Sequence, residues 1–183
     1  NDTEMITETA LSELLGCCMR EDVGAVGAKL LYSDDTVQHA GVVIGFGGYA
    51  GHVNMGIKRD DYGYMVRARI NCNYSAVTAA CMMTKKSLFE QVGGFDEQFV
   101  VACNDVDYCL KIRELDKWVI YNAFSEWYHY ESKSRGYEDT PEKLKRFEGE
   151  VEKFQKKWPE ILEKGDPFYN PNFPINRAPF TWG

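Results

Sequence analysis

The chain has no excess of positive charge: 21 Lys and Arg stand against 28 Asp and Glu in 183 residues, a formal charge of -7. A phosphate-backbone partner would need clustered Lys and Arg, which argues against nucleic acid. Long apolar runs are missing too. The longest predominantly apolar stretch, residues 76–83, falls far below the ~20 residues that cross a bilayer as a helix. No basic-plus-apolar signal pattern stands at the N-terminus. The six cysteines offer no Cys-x-x-Cys or similar close spacing, which removes a zinc site. Cys17 and Cys18 are adjacent, and Cys81 and Cys109 lie in apolar segments where a reduced thiol acts as a small hydrophobe. A reducing, cytosolic setting is therefore expected. Internal repeats and low-complexity linkers are absent, and 44% apolar content suffices for one core.

What is present alternates between strand and helix patterns. Ala10, Leu11, Leu14, Leu15 and Cys18 recur at helical spacing behind Thr7, which predicts a capped helix with one buried stripe. Residues 23–32 and 37–45 read as two strands joined by a turn at Ser33-Asp34-Asp35-Thr36. Residues 45–59 hold five glycines around His52 without any period, so a loop is expected. Gly45-x-Gly47-Gly48 is not a phosphate loop, because no helix pattern follows it. Residues 75–84 suit a central strand, and residues 85–92 a short helix closed by Gly93-Gly94. A helix over residues 105–115 turns Val106, Cys109 and Leu110 inward, and residues 118–121 and 125–128 read as short strands. Thr140-Pro141-Glu142 combines a capping hydroxyl, proline at the first helical position and a dipole-favoured acid. The helix it starts carries Leu144, Phe147, Val151, Phe154 and Trp158 on one stripe and stops at Pro159. The fold class is α/β.

Three stretches carry chemistry: the turn Gly93-Gly94-Phe95-Asp96-Glu97, the helix start Asn104-Asp105-Val106-Asp107, and Tyr128-His129-Tyr130-Glu131-Ser132. In this order they resemble the C-terminal half of a family 2 glycosyltransferase with the GT-A fold, and the likeness runs along almost the whole chain. Asn1-Asp2-Thr3-Glu4 resembles the tail of that family's aspartate-rich metal motif. Residues 166–174, Asp-Pro-Phe-Tyr-Asn-Pro-Asn-Phe-Pro, resemble the ending of a rhamnosyltransferase-like, polysaccharide-building subgroup.

The resemblance implies a domain over residues 1–165 that starts at the metal motif, with the nucleotide-binding half upstream, and an extended Pro/aromatic-rich tail over residues 166–183. It implies an inverting, metal-dependent transfer from a nucleotide-diphosphate sugar to a glycan or lipid-linked glycan acceptor. Asp105 would be the catalytic base, although Asn104 stands where the family more often has glutamate. Asp2 and His129 would hold Mn²⁺ or Mg²⁺; an imidazole ligand leans toward Mn²⁺. Arg135, Ser134 and Thr78 would face the donor diphosphate or sugar, with His52, Asp96 and Asp107 near donor or acceptor; His39 also matches the subgroup. A cytoplasmic protein at the inner face of the membrane is expected, with exposed apolar surface at a truncated sheet edge favouring a homodimer or other self-association.

The residues leave other readings open. Asn104, Asp105 and Asp107 also suit a capped helix whose acids complement the dipole. Fourteen per cent aromatic residues suits a non-catalytic carbohydrate-binding or assembly module. A hydrolase with a paired Asp105/Asp107 site fares poorly, because residues two apart on a helix diverge. A calcium loop lacks its turn glycine.

Overall fold

The computed structural model describes residues 2–130 and 140–180. In chain order these form β1 (Thr3–Met5), α1 (Ala10–Cys18), β2 (Val23–Leu31), β3 (Val37–His39), β4 (Val42–Ile44), β5 (Ala50–His52), β6 (Cys72–Asn73), β7 (Met82–Thr84), α2 (Lys86–Gln91), α3 (Asn104–Glu114), β8 (Trp118–His129), α4 (Pro141–Lys157) and α5 (Pro159–Lys164). The expected α/β class holds: a six-stranded mixed sheet with flanking helices. Its centre is the parallel pair β2 and β8, of which β2 is buried at every position, as a strand covered on both faces must be. β7 and β3 share the far edge of β2, while β6 and β1 share the far edge of β8, all antiparallel.

Several elements differ from the sequence reading, each for a visible reason. The expected strand over 37–45 breaks at Gly41, whose φ of +109° and approach to the Tyr74 ring, 2.3 Å from an added Cβ, suit only glycine. β4 then pairs with β5 in a hairpin of its own, so the glycine-rich segment is folded rather than an open loop. Residues 75–84 are not one strand, because a 3-10 turn at Ala79–Cys81 intervenes before β7. The two short strands expected over 118–128 are one strand with an offset. Ala28 pairs with Asn122 but Lys29 pairs with Glu126, and the buried Asn122 carboxamide accepts the Phe124 and Ser125 amides inside the offset.

α1 packs through Ala10, Leu14 and Cys18, whereas Leu11 and Leu15 are exposed. Thr7 does not cap it: the hydroxyl accepts the Glu126 amide and so ties the chain to β8. α4 begins as expected, with Thr140 Oγ1 accepting the Lys143 amide and Pro141 in the first turn. Its stripe buries Phe154, leaves Leu144 exposed, and takes in the acid Glu150. Pro159 opens α5 directly behind it. The described part of the tail is a run of turns, anchored by Asp166 Oδ2 accepting the Ile44 amide at 2.7 Å and by buried Tyr169 and Phe173. Among the described residues no helix is long and apolar enough to cross a membrane.

Candidate functional site

Asp105 lies in the first turn of α3, half-buried. Its Oδ2 accepts the Ala79 amide at 3.1 Å and its Oδ1 the Val106 amide at 2.9 Å. Each carboxylate oxygen has room for two hydrogen bonds, so both retain a lone pair for a further donor. Asn104 is the first helical residue and its Oδ1 accepts the Asp105 amide, while the capping position falls to Cys103 at a left-handed φ of +64°. Tyr49 stands beside this turn. Its phenol is pushed above the usual value first by burial and then by the neighbouring Cys103 and Asp105.

A second cluster gathers all three histidines of the chain. His129, the last residue of β8, bonds Gln38 Oε1 through Nδ1 at 2.7 Å, while Gln38 Nε2 donates to the His129 carbonyl at 3.4 Å. The Gln38 carboxamide thus orients the imidazole edge-on, with an oxygen at Nδ1. Nε2 faces Asp2 Oδ1 at 3.7 Å. His39, wholly buried on β3, meets His52 of β5 with 3.0 Å between Nδ1 atoms. Burial, and then His52 and His129, hold the His39 imidazole well below its usual pKa, so it is neutral at pH 7. The hairpin β4–β5 links the clusters, since His52 is its final residue and Tyr49, at its turn, packs against Phe147 of α4.

Asp2 and His129 thus bring a carboxylate and an imidazole together at adjacent strand ends. Among the described residues no group of three His, Cys, Asp or Glu could hold an ion unaided. Two protein ligands, with oxygens of a bound phosphate and water filling the rest, is the arrangement of a Mg²⁺- or Mn²⁺-dependent phosphate site. The imidazole turns Nε2 toward Asp2, and Gln38 orients the ring as an outer partner. A carboxylate with an imidazole beside it fits Mn²⁺ better than Mg²⁺.

The other expected site residues are placed differently. Asp107 is wholly buried: Trp158 Nε1 donates to it at 2.8 Å, Lys157 Nζ lies 2.7 Å from Oδ1 and Lys111 Nζ 3.5 Å from Oδ2. Asp96 accepts from the same Lys157 at 2.7 Å, a bond that, with the Gln98 amide, holds its carboxyl at about 2. Both acids therefore brace α4 against the turn before α3 and the helix itself. Thr78 accepts the Ala80 amide and caps the 3-10 turn, one residue from the amide that Asp105 accepts. Arg135 and Ser134 lie outside the described residues.

Some contributors escaped the sequence reading. Gln38 showed only as a polar residue in a short strand, and Glu150 as one acid within an apolar helical stripe, which was the available signal. Lys29, Arg59 and Glu126 form a further network: Lys29 Nζ, almost wholly buried on β2, lies 3.0 Å from Glu126 Oε1, and Arg59 NH2 lies 2.7 Å from Oε2. A buried lysine in a central strand demands an acid beside it. A cleft of about 1400 Å³ sits at the C-terminal end of α3 between Arg113, Trp158 and the tail. At 1.5 Å per residue it is roughly 12 Å along the helix from Asp105.

No protein-family model matches the chain. The uncharacterized protein y4gI of Sinorhizobium fredii is 45% identical over 182 residues, which is 99% of this chain and 20% of that protein. The O-antigen biosynthesis protein RfbC of Myxococcus xanthus is 36% identical over 179 residues, covering 96% of this chain and 13% of RfbC. The chain thus resembles a stretch of a protein named for polysaccharide synthesis, and it spans a fifth or less of the length of both curated relatives.

Proposed function

We propose that the chain is the acceptor-side, C-terminal portion of a GT-A glycosyltransferase domain of the family 2 type, acting in cell-surface polysaccharide synthesis. The observation that carries this reading is Asp105: a half-buried carboxylate at a helix mouth, oriented by two backbone amides yet with lone pairs left over. Support comes from the Asp2 and His129 pair on neighbouring strand ends and from the 36% identity to an O-antigen biosynthesis protein.

In this reading an acceptor hydroxyl donates its hydrogen bond to Asp105, which takes the proton as the oxygen attacks the anomeric carbon from the face opposite the leaving group. The new C–O bond forms as the bond to the diphosphate breaks, so the anomeric configuration inverts. Asp2 and His129 would hold Mn²⁺ or Mg²⁺, which supplies a positive centre for the departing nucleoside diphosphate. Gln38 Oε1, at 2.7 Å from Nδ1, would hold the His129 proton there and leave Nε2 for the ion. Thr78, next to the Ala79 amide that Asp105 accepts, would face the donor together with Arg135 and Ser134, which would grip the diphosphate, and His52 would lie near donor or acceptor. The acceptor is a glycan or lipid-linked glycan, and the reaction takes place on the cytoplasmic side of the membrane.

The test is release of nucleoside diphosphate from a panel of nucleotide sugars by the chain extended upstream, with Mn²⁺ and with chelator. Metal-dependent release from one donor, raised by the right acceptor, is the expected result. Sugar binding without release from any donor, with or without acceptor glycans, would replace the transferase by a carbohydrate-binding module.

A further inference from the structure

Three consecutive backbone amides outside any helix or strand converge on one side chain. Val100 N lies 3.2 Å from Glu150 Oε1, and Val101 N and Ala102 N lie 3.3 and 2.6 Å from Oε2. Val100 is 69% exposed, so water could have served this segment, yet a glutamate on α4 that is only 2% exposed does so. Burying a carboxylate is unfavourable unless it is fully hydrogen-bonded, and a run of amides around an anion meets that requirement.

The grip ends one residue before Cys103, an L-residue held in the left-handed region at φ +64°. Such a conformation persists only where its surroundings over-determine it. On the other side of Asp105, Asp107 is held by Lys157 and Trp158, also from the end of α4. Phe99 packs on Phe154 with ring centroids 6.5 Å apart. α4 thus holds the segment from 99 to 107 before, within and after the turn that presents Asp105. Asp105 itself bonds Ala79 and Val106.

We propose that Glu150 is a positioning residue. Its carboxylate fixes the path of residues 100–102, sets the left-handed entry at Cys103, and thereby aims the Asp105 carboxylate. This rests on the reading of Asp105 as the base given above. A base displaced by about 1 Å loses on the order of 100-fold in rate, so the effect falls on the chemical step rather than on donor binding.

The test uses Glu150→Gln, which keeps size and loses charge, Glu150→Asp, which keeps charge and shortens the reach, and Glu148→Gln as an exposed control on the same helix. Amide hydrogen exchange of residues 100–102 is followed by mass spectrometry, and kcat and donor KM by the nucleotide-release assay. Exchange about 10- to 100-fold faster is expected in both Glu150 variants, as follows from losing charge-assisted bonds. A fall in kcat of about 100-fold at unchanged KM should accompany it, with the control unaltered. Unchanged exchange would overturn the proposal, and so would faster exchange with unchanged kcat. If Asp105→Asn stays active while Glu150→Gln does not, the base assignment fails and Glu150 positions the segment for another group.

Discussion

Replacing Lys157 with methionine removes one ammonium from two carboxylates at once. Asp96 is partly in water and adapts. Asp107 is wholly buried, and after the change it keeps only the Trp158 indole at 2.8 Å and Lys111 at 3.5 Å. Breaking a buried pair by removing one partner costs about 3–5 kcal/mol, since the remaining charge stays desolvated. Lys157 is 29% exposed, so water can enter the gap, and two partners remain; the lower end, about 3 kcal/mol, applies. For a chain of this size that lowers Tm by about 6–12 °C. Asp107→Asn in the same background removes the stranded charge and keeps an acceptor for Trp158, so the double variant should recover about 2 kcal/mol of the loss. Urea unfolding of the four proteins of this cycle, with Tm as a second reading, measures it. A single-variant loss below about 1 kcal/mol, or additivity within about 0.5 kcal/mol, would refute the view that Asp107 is a brace between α3 and α4.

Three further outcomes follow from the geometry. His39 is depressed in the folded state, so the unfolded chain binds the extra proton. Stability from this group is intact above the unfolded value of about 6.5 and is lost as pH falls below it, by up to about 1.4 kcal/mol per pH unit; His39→Gln should flatten that slope between pH 6.5 and 5 in urea melts. Gly41→Ala forces an L-residue to φ +109° against the Tyr74 ring and should cost about 2–4 kcal/mol, whereas Gly149→Ala, in open space on α4, should stabilise by about 0.5–1 kcal/mol; calorimetry of the pair reads the contrast. Burial pushes the thiols of Cys103 and Cys109 up to about 12, so in the native protein at pH 8 a disulfide reagent should label Cys17 well before either, and equal rates would contradict the packing.

The parts of this fold that could be seen in the sequence are those set by neighbours along the chain. Thr140-Pro141-Glu142 starts α4, Gly93-Gly94 closes the turn after α2, and the apolar spacing of Val106, Cys109 and Leu110 turns α3 inward. What escaped notice depends on partners far away in sequence. Gly41 ends a strand because Tyr74 lies against it, and Lys29 can sit in the central strand because Glu126 and the Arg59 carbonyl receive it. The carboxamide of Asn122 holds an offset that makes one strand look like two. The site shows the same division. Asp105 at a helix mouth could be placed from local pattern, but the meeting of His39, His52 and His129 needs three separate strands, and the burial of Asp107 needs α4.

The central claim is that Asp105 takes the proton of the acceptor. It is tested most directly by measuring glycosyl transfer and donor binding together for the upstream-extended chain and its Asp105→Asn variant, at saturating Mn²⁺. The account predicts that transfer falls by about 10²–10⁴-fold, the usual contribution of a general base, while donor affinity is retained. Transfer by Asp105→Asn within about twofold of the parent would contradict it, since no such base contribution would then belong to this carboxylate.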